Sequence, residues 1–258
     1  MHEIDNRIRG RLALITGASG GIGAACARAL WAQGASLALT YFRGAESINN
    51  LTKELVDGDE TVQQKFTIHC VDTGSAESIE QLFLAIKEQH GQDGPDILLS
   101  NAGYGKRRNG ILDVSLEEFD FTINVNLRAS FILSKLAIPH MEAQRWGRII
   151  FISSLAAQGG GINACHYAAS KAGLTGLMKN LAMKHAASGI TVNDVAPAMI
   201  GETGLIPDEK FVEGTPGDVK NIPVGRLGSP DECANVVSMI CKTGYLTGQS
   251  ILLSGGLK

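Results

Sequence analysis

"RLALITGASGGIG", Arg11 to Gly23, is the stretch that decides how this 258-residue chain folds. An apolar run of strand length meets a cluster of glycines, and an alanine-rich segment of helical character follows at once. A strand that turns through glycine straight into a helix is the opening unit of a parallel sheet covered by helices. Gly17 can turn the chain tightly, while Gly21 and Gly23 let backbone amides and the helix N-terminus approach a pyrophosphate. Alone such a turn is a weak signal; placed after the first strand it predicts dinucleotide binding.

Outward from this unit the same alternation repeats. Strands are predicted at 11–17, 36–41 ("SLALTY"), 66–72 ("FTIHCVD"), 96–103 ("DILLSNAG"), 147–154 ("GRIIFISS"), 189–197 ("GITVNDVAP") and 248–256 ("GQSILLSGG"). Many of these runs are apolar at consecutive positions, as strands buried on both faces should be. Helices are predicted at Gly23–Gln33, Ala76–Gln89, Ser115–Glu142, Tyr167–Ala187 and Pro230–Ile240. The expected fold is therefore α/β, one doubly wound domain over 1–258, with a seven-stranded parallel sheet and helices on both faces.

The totals exclude several other classes. A net charge of −3 and no basic patch give no footprint for nucleic acid, and no run approaches the roughly 20 apolar residues of a membrane span. The five cysteines include no C-x-x-C pair and no zinc spacing, so no metal site is expected. The N-terminal segment has no apolar core of a signal peptide, and the expected address is the cytoplasm. The 31 glycines, many at the ends of apolar runs, favour many short strand-to-helix turns.

One segment breaks the alternation. Residues 198–221, "AMIGETGLIPDEKFVEGTPGDVKN", are polar, carry two prolines and four glycines, and follow a strand end. Ligands of doubly wound sheets bind beyond the carboxyl ends of strands, so this excursion is read as a flexible flap over the substrate rather than a variable surface loop. At the end of the second strand, "LALTYFRG" has Tyr41 where an acidic residue would bond the ribose of NAD. Arg43 is close enough to neutralise a 2′-phosphate, which makes NADPH the preferred cofactor and NAD a possible one.

"CHYAASKAG", Cys165 to Gly173, sets Tyr167 and Lys171 four residues apart with only small residues between them. In a helix they share one face, where a cation beside a phenol favours the phenolate. On its own this stretch reads more readily as an ordinary helical face, and the rest of the chain has to decide.

Together these residues resemble the short-chain dehydrogenases and reductases, in their single-domain subgroup. The resemblance rests on "TGASGGIG", Asp72 after the third strand, "NAG" at 101–103, "NVNL" with Asn126, "ISS" with Ser154, and Y-x-x-x-K at Tyr167 and Lys171. It implies a Rossmann-type fold and a catalytic tetrad of Asn126, Ser154, Tyr167 and Lys171. Ser154 would bond the substrate carbonyl oxygen, and Tyr167 would deliver the proton with a pKa lowered by Lys171. Lys171 would also hold the nicotinamide ribose, and Asn126 would bond a water that reconnects Lys171 to solvent. Ser153 and Asn124 compete for the places of Ser154 and Asn126; the thirteen-residue gap to Tyr167 and the "N-L-x-x-x-F" pattern favour the latter pair. His166 receives no role.

For the cofactor, the resemblance implies contacts from Gly17, Ser19, Gly21, Ile22, Gly23, Tyr41, Arg43, Asp72, Asn101, Ala102, Gly103, Tyr167, Lys171, Pro197, Ile200 and Thr203. Asp72 would cap a turn beside the adenine, and Ile200 and Thr203 would lie near the nicotinamide amide. "GRIIFISS", "GITVN", "PVGRLGSP" and the terminal "GG" are most similar to 3-oxoacyl-(acyl-carrier-protein) reductases. That implies hydride transfer to a ketone, here a 3-oxoacyl thioester, in a cytoplasmic homotetramer. Ser188 stands where such reductases carry a basic residue for the acidic carrier, leaving Arg145 and Arg148. Carrier-protein docking thus stays open, and so does a stand-alone ketoreductase acting on a free ketone, polyketide or alcohol. A non-catalytic dinucleotide sensor is the remaining alternative.

Overall fold

The computed structural model describes residues 5–56, 64–159 and 162–258, so the first four residues of the N-terminal segment lie outside it. Its seven strands are β1 (Leu12–Ile15), β2 (Ser36–Tyr41), β3 (Phe66–Cys70), β4 (Ile97–Ser100), β5 (Gly147–Ile152), β6 (Ile190–Pro197) and β7 (Ser250–Leu253). Every pairing is parallel, in the order β3-β2-β1-β4-β5-β6-β7. The chain winds outward from β1 to β3 and returns to lay β4 on the other side of β1. The crevice between β1 and β4 is thus the switch point, where a doubly wound sheet binds its ligand.

The helices are α1 (Gly21–Ala32), α2 (Ala45–Val56), α3 (Ala76–His90), α4 (Leu116–Ile123), α5 (Ala129–Gln144), α6 (Cys165–His185) and α7 (Pro230–Cys241). Side chains alternate across the sheet. Ala13, Ile15, Ile150 and Ile152 pack with α1, α2 and α7, and Leu12, Leu14, Ile149 and Phe151 with α3, α5 and α6. Helix α2 lies outside the predicted set, although Ile48, Leu51 and Leu55 form its buried stripe at helical spacing.

The predicted helix Ser115–Glu142 is in fact two helices. Asn124–Arg128 forms one π-helical turn between α4 and α5, a local widening that recurs at functional sites. The segment 198–221 folds as a loop with two short 3₁₀ turns, Glu209–Val212 and Val219–Asn221. Val212 is fully buried and Ile206 nearly so, which anchors the excursion to the body of the domain.

Candidate active site

The turn after β1 is stitched to its neighbours at both edges. Asn101 and Ala102 donate their backbone N–H groups to the Thr16 hydroxyl at 2.9 and 3.0 Å, and the Asn101 amide donates to the Thr16 and Gly17 carbonyls. Ala18 donates to the Thr40 carbonyl at the end of β2. Gly17 has φ +66°, and a Cβ there would lie 3.0 Å from the Ala102 backbone; a Cβ on Gly23 would collide with the Gly17 carbonyl oxygen. This backbone is therefore open only to glycine.

Helix α1 starts without a cap. Gly20 offers no side chain, and the first turn holds no acidic residue. Helices α3, α4 and α7 are capped by Ser75, Ser115 and Ser229. The bare N-terminus, with Ser19, Gly21, Ile22 and Gly23 around it, suits the pyrophosphate of a dinucleotide, whose charge the helix dipole favours. The residues present therefore fit that cofactor. Beyond them, Ser19 donates its hydroxyl to the Arg43 carbonyl at 3.0 Å, which folds the β2–α2 turn onto the glycine loop. Tyr41 is half-buried at the strand end, and the Arg43 side chain is exposed, 5.9 Å from the Phe42 ring. Asp72 accepts the Gly74 N–H at 2.8 Å and so closes the turn before α3.

Ser154 follows β5 and accepts the Ala156 N–H at 3.1 Å, capping a 3₁₀ turn at Leu155–Gln158. Its hydroxyl is also close enough to the Tyr167 phenol to lower the phenol's pKa. Ser153 is turned the other way: its hydroxyl donates to Asp194 Oδ1 at 2.6 Å and to the Val195 carbonyl at 3.2 Å, out of reach of the cleft. The two asparagines separate just as cleanly. Asn124 donates to the Gly74 carbonyl and accepts from Arg128, whereas Asn126 is buried in the π turn. Asn126 donates to the Tyr104 carbonyl (2.9 Å) and the Ser170 hydroxyl (2.9 Å) and accepts the Tyr104 N–H (2.7 Å). Its side chain thus ties the loop after β4 to helix α6.

Tyr167 and Lys171 share the inner face of α6, both buried. Lys171 donates to the Ile152 carbonyl at 2.8 Å, and its Nζ lies 5.6 Å from the Tyr167 ring centroid. The expected lowering of the phenol does not occur. Burial raises the Tyr167 pKa, and the Ser154 hydroxyl only partly offsets it. Burial also pulls the Lys171 ammonium down to about 8, against a smaller upward push from Asp194. Desolvation is the larger influence on both groups.

Gly103 and Gly105 line the floor of the cleft. A Cβ on Gly103 would lie 3.4 Å from both Lys171 Nζ and Asn126 Oδ1. One on Gly105 would lie 3.1 Å from Leu205 and 3.2 Å from Tyr167 and Asn163. Leu205 of the 198–221 excursion and the Tyr167 ring thus both border Gly105. Pro197 ends β6, and Ile200 bridges to Gly228 and is buried. The Thr203 hydroxyl is taken up within its own turn, donating to the Ile200 carbonyl and accepting the Ile206 N–H. Ile200 and Thr203 thus shape the flap before they could touch any cofactor.

Packing settles the surroundings of two further residues, and for Arg148 it changes the expectation. His166 is fully buried, with neither ring nitrogen hydrogen bonded, and its Nε2 lies 3.6 Å from Glu118, which also pairs with Arg108. Arg148 is buried too, donating to the Cys241 carbonyl and stacked 4.2 Å over Trp146, so it offers nothing to a partner. The exposed cations near the cleft are instead Lys106 and Arg107, just beyond Gly105, which sequence reasoning passed over.

Comparison with known proteins agrees with this fold. The family model described as Enoyl-(Acyl carrier protein) reductase matches residues 17–258. A 3-oxoacyl-(acyl-carrier-protein) reductase FabG of Rickettsia bellii is 37% identical over 254 residues, covering 97% of this chain and 98% of its own. A dehydrogenase/reductase from Sinorhizobium meliloti superposes with a TM-score of 0.86 at 32% identity, over 97% of this chain and 96% of its own. A short-chain dehydrogenase from Burkholderia cenocepacia, solved in complex with NADP, does so at 0.84 and 30%, over 97% and 98%.

Proposed function

Because this chain belongs to the short-chain dehydrogenase/reductase family, and so is an oxidoreductase that uses a nicotinamide dinucleotide, we propose that it reduces a 3-oxoacyl thioester with NADPH. The observation that carries the reading is the convergence of Ser154, Tyr167 and Lys171 at the carboxyl ends of the strands, beside an uncapped α1. When bound, the reduced nicotinamide supplies hydride to the carbonyl carbon.

The remaining chemistry falls to side chains of this chain. Ser154 donates a hydrogen bond to the carbonyl oxygen as negative charge develops on it. Tyr167, kept protonated by its burial, gives up its proton to that oxygen as general acid. Lys171 stabilises the phenolate left behind, and Asn126 holds Tyr104 and Ser170 so that cleft floor and helix keep their spacing. Arg43, with no carboxylate at the end of β2, supports NADPH over NADH.

Lys106 and Arg107, exposed at the mouth, support a substrate carried on an acidic protein or a phosphate-bearing thiol. A second reading, a ketoreductase for free ketones, is favoured by Ser188 in place of a base and by the burial of Arg148. Half-exposed Phe121 and Phe131, with Met183 at 71%, support assembly through α4, α5 and α6, here as a tetramer. Five free cysteines accord with a reducing, cytoplasmic setting.

The test is oxidation of NADPH and NADH with a 3-oxoacyl thioester and with free ketones, for the wild type and for Tyr167→Phe. Thioester turnover with NADPH that vanishes in the variant supports the reading. Turnover of free ketones alone transfers the protein to the second reading, and no loss in Tyr167→Phe removes the phenol from the mechanism.

A further inference from the structure

Strand β6 carries a charge where its pattern calls for a hydrocarbon. Ile190, Val192 and Asp194 point to the same face of the sheet, and the first two pack in the core with Leu174, Met178 and Ala182 of α6. Asp194 pairs in register with Phe151, itself fully buried on that face. The carboxylate is entirely inaccessible. Oδ1 accepts two hydroxyl bonds at 2.6 Å, from Ser153 just after β5 and Ser250 on β7, while Oδ2 is buried with no hydrogen-bond partner. A carboxylate so placed costs several kcal/mol unless a positive charge faces it.

The helix over this face carries a buried lysine. Lys171, Leu174, Met178 and Ala182 lie on one side of α6 at helical spacing, and α6 runs back across β6 in the opposite direction. Ala182 thus lies towards Ile190 and the Lys171 end towards Asp194. The ammonium is 4% exposed, and its hydrogen bond goes to the carbonyl of Ile152, one residue before the serine that holds Asp194.

We propose that Asp194 is the buried counter-charge of Lys171 and a positioning residue for the reduction: its carboxylate holds Ser153 next to Ser154 and keeps the ammonium charged where burial disfavours it. The inference rests on the reading of Lys171 given above. Asp194 touches no reacting atom. Ser153, just after β5, and Ser250 on β7 bond it directly, whereas Lys171 on α6 makes no ion pair with it within 4.0 Å and acts on it through space. Facing Lys171 in turn are Tyr167 on its own helix and the neutral Asn126 beyond Gly103.

The test reads the ammonium directly. In protein labelled with ¹⁵N-lysine, the Lys171 signal, assigned by its loss in Lys171→Arg, is titrated in the wild type, Asp194→Asn, Asp194→Ser and Asp194→Glu. The expected result is a midpoint lowered by roughly 1 to 3 pH units in the two neutral variants, and largely restored in Asp194→Glu. The alkaline limb of the kcat profile should move down with it, with KM little changed. An unmoved midpoint overturns the proposal, and so does failure of both neutral variants to fold, which would make Asp194 a folding residue. A lowered midpoint with an unchanged kcat profile would uphold the counter-charge and overturn instead the reading that Lys171 serves the reaction.

Discussion

Asn126 holds both backbone polar groups of Tyr104, accepting its N–H at 2.7 Å and donating to its carbonyl at 2.9 Å. A buried carboxamide here imitates a neighbouring strand, and it extends the order of the sheet into the loop after β4. Asn126→Ala would leave two backbone groups unpartnered, at about 1–3 kcal/mol of stability. The loop bearing Gly103 and Gly105 would shift, and kcat/KM should fall on the order of 100-fold. Steady-state kinetics beside a denaturation curve separate the two effects; wild-type kcat/KM in the variant would deny Asn126 any part in setting the cleft.

Lys171 is held charged at a cost. Its pKa is about 8 in the folded protein against an ordinary 10.5, so between these values the unfolded chain binds a proton that the folded one lacks. Stability from this group therefore rises with pH across that window, and the full penalty applies below about 8. Wild-type stability should therefore climb between pH 8 and 10.5. Lys171→Met should lack that rise and inactivate the protein, and it should destabilise it at pH 7 by about 3–5 kcal/mol, because Asp194 is left buried without its counter-charge. Thermal unfolding of both proteins at pH 7 and pH 10 checks this, and a variant as stable as the wild type at pH 7 would contradict it.

Arg43 has its side chain free at the cofactor end while its carbonyl is tied to Ser19. Arg43→Ala should raise the KM for NADPH on the order of tenfold and leave that for NADH almost unchanged. Equal changes for the two cofactors would place the 2′-phosphate elsewhere.

Gly105 leaves room between Leu205 and Tyr167 for something other than a methyl group. Gly105→Ala should cut kcat/KM for a 3-oxoacyl thioester about tenfold and spare a small ketone. The ratio of the two substrates is the readout, and an unchanged ratio would move the acyl path away from this floor.

Ser229 and Glu232 cap α7 reciprocally, and Glu232 also pairs with Arg226, holding its carboxyl down at about 2. Ser229→Ala should cost about 1 kcal/mol and lower Tm by roughly 2–4 °C with kcat little changed, since the Ser229 hydroxyl bonds only within the first turn of α7. A larger kinetic than thermal effect would tie α7 to the site.

Most of the fold was legible because period and punctuation agree: apolar runs such as Leu12–Ile15 and Ile97–Ser100 end in glycine or asparagine where the strands end. Tyr167 and Lys171 were legible for the same reason, a fixed spacing on one helix. Helix α2 carried its stripe in Ile48, Leu51 and Leu55, but polar neighbours masked it. Asp194 was invisible in another sense. Within "GITVNDVAP" nothing tells which face a residue takes or what covers it, so a buried charge reads like a solvated one. His166 was passed over likewise, since only packing against α4 brings it near Glu118.

The π turn at Asn124–Arg128 fixes the length of the chain as firmly as its composition. Delete one residue there and α4 and α5 could merge into an unbroken helix, but every side chain before the deletion would swing by about 100°. Thr122 would leave the interior, and Glu118 would lose its place opposite Arg108 and His166. Substitutions in this stretch can be absorbed one at a time, whereas a change of reading register cannot, so the five residues act as a gauge block between the two helices.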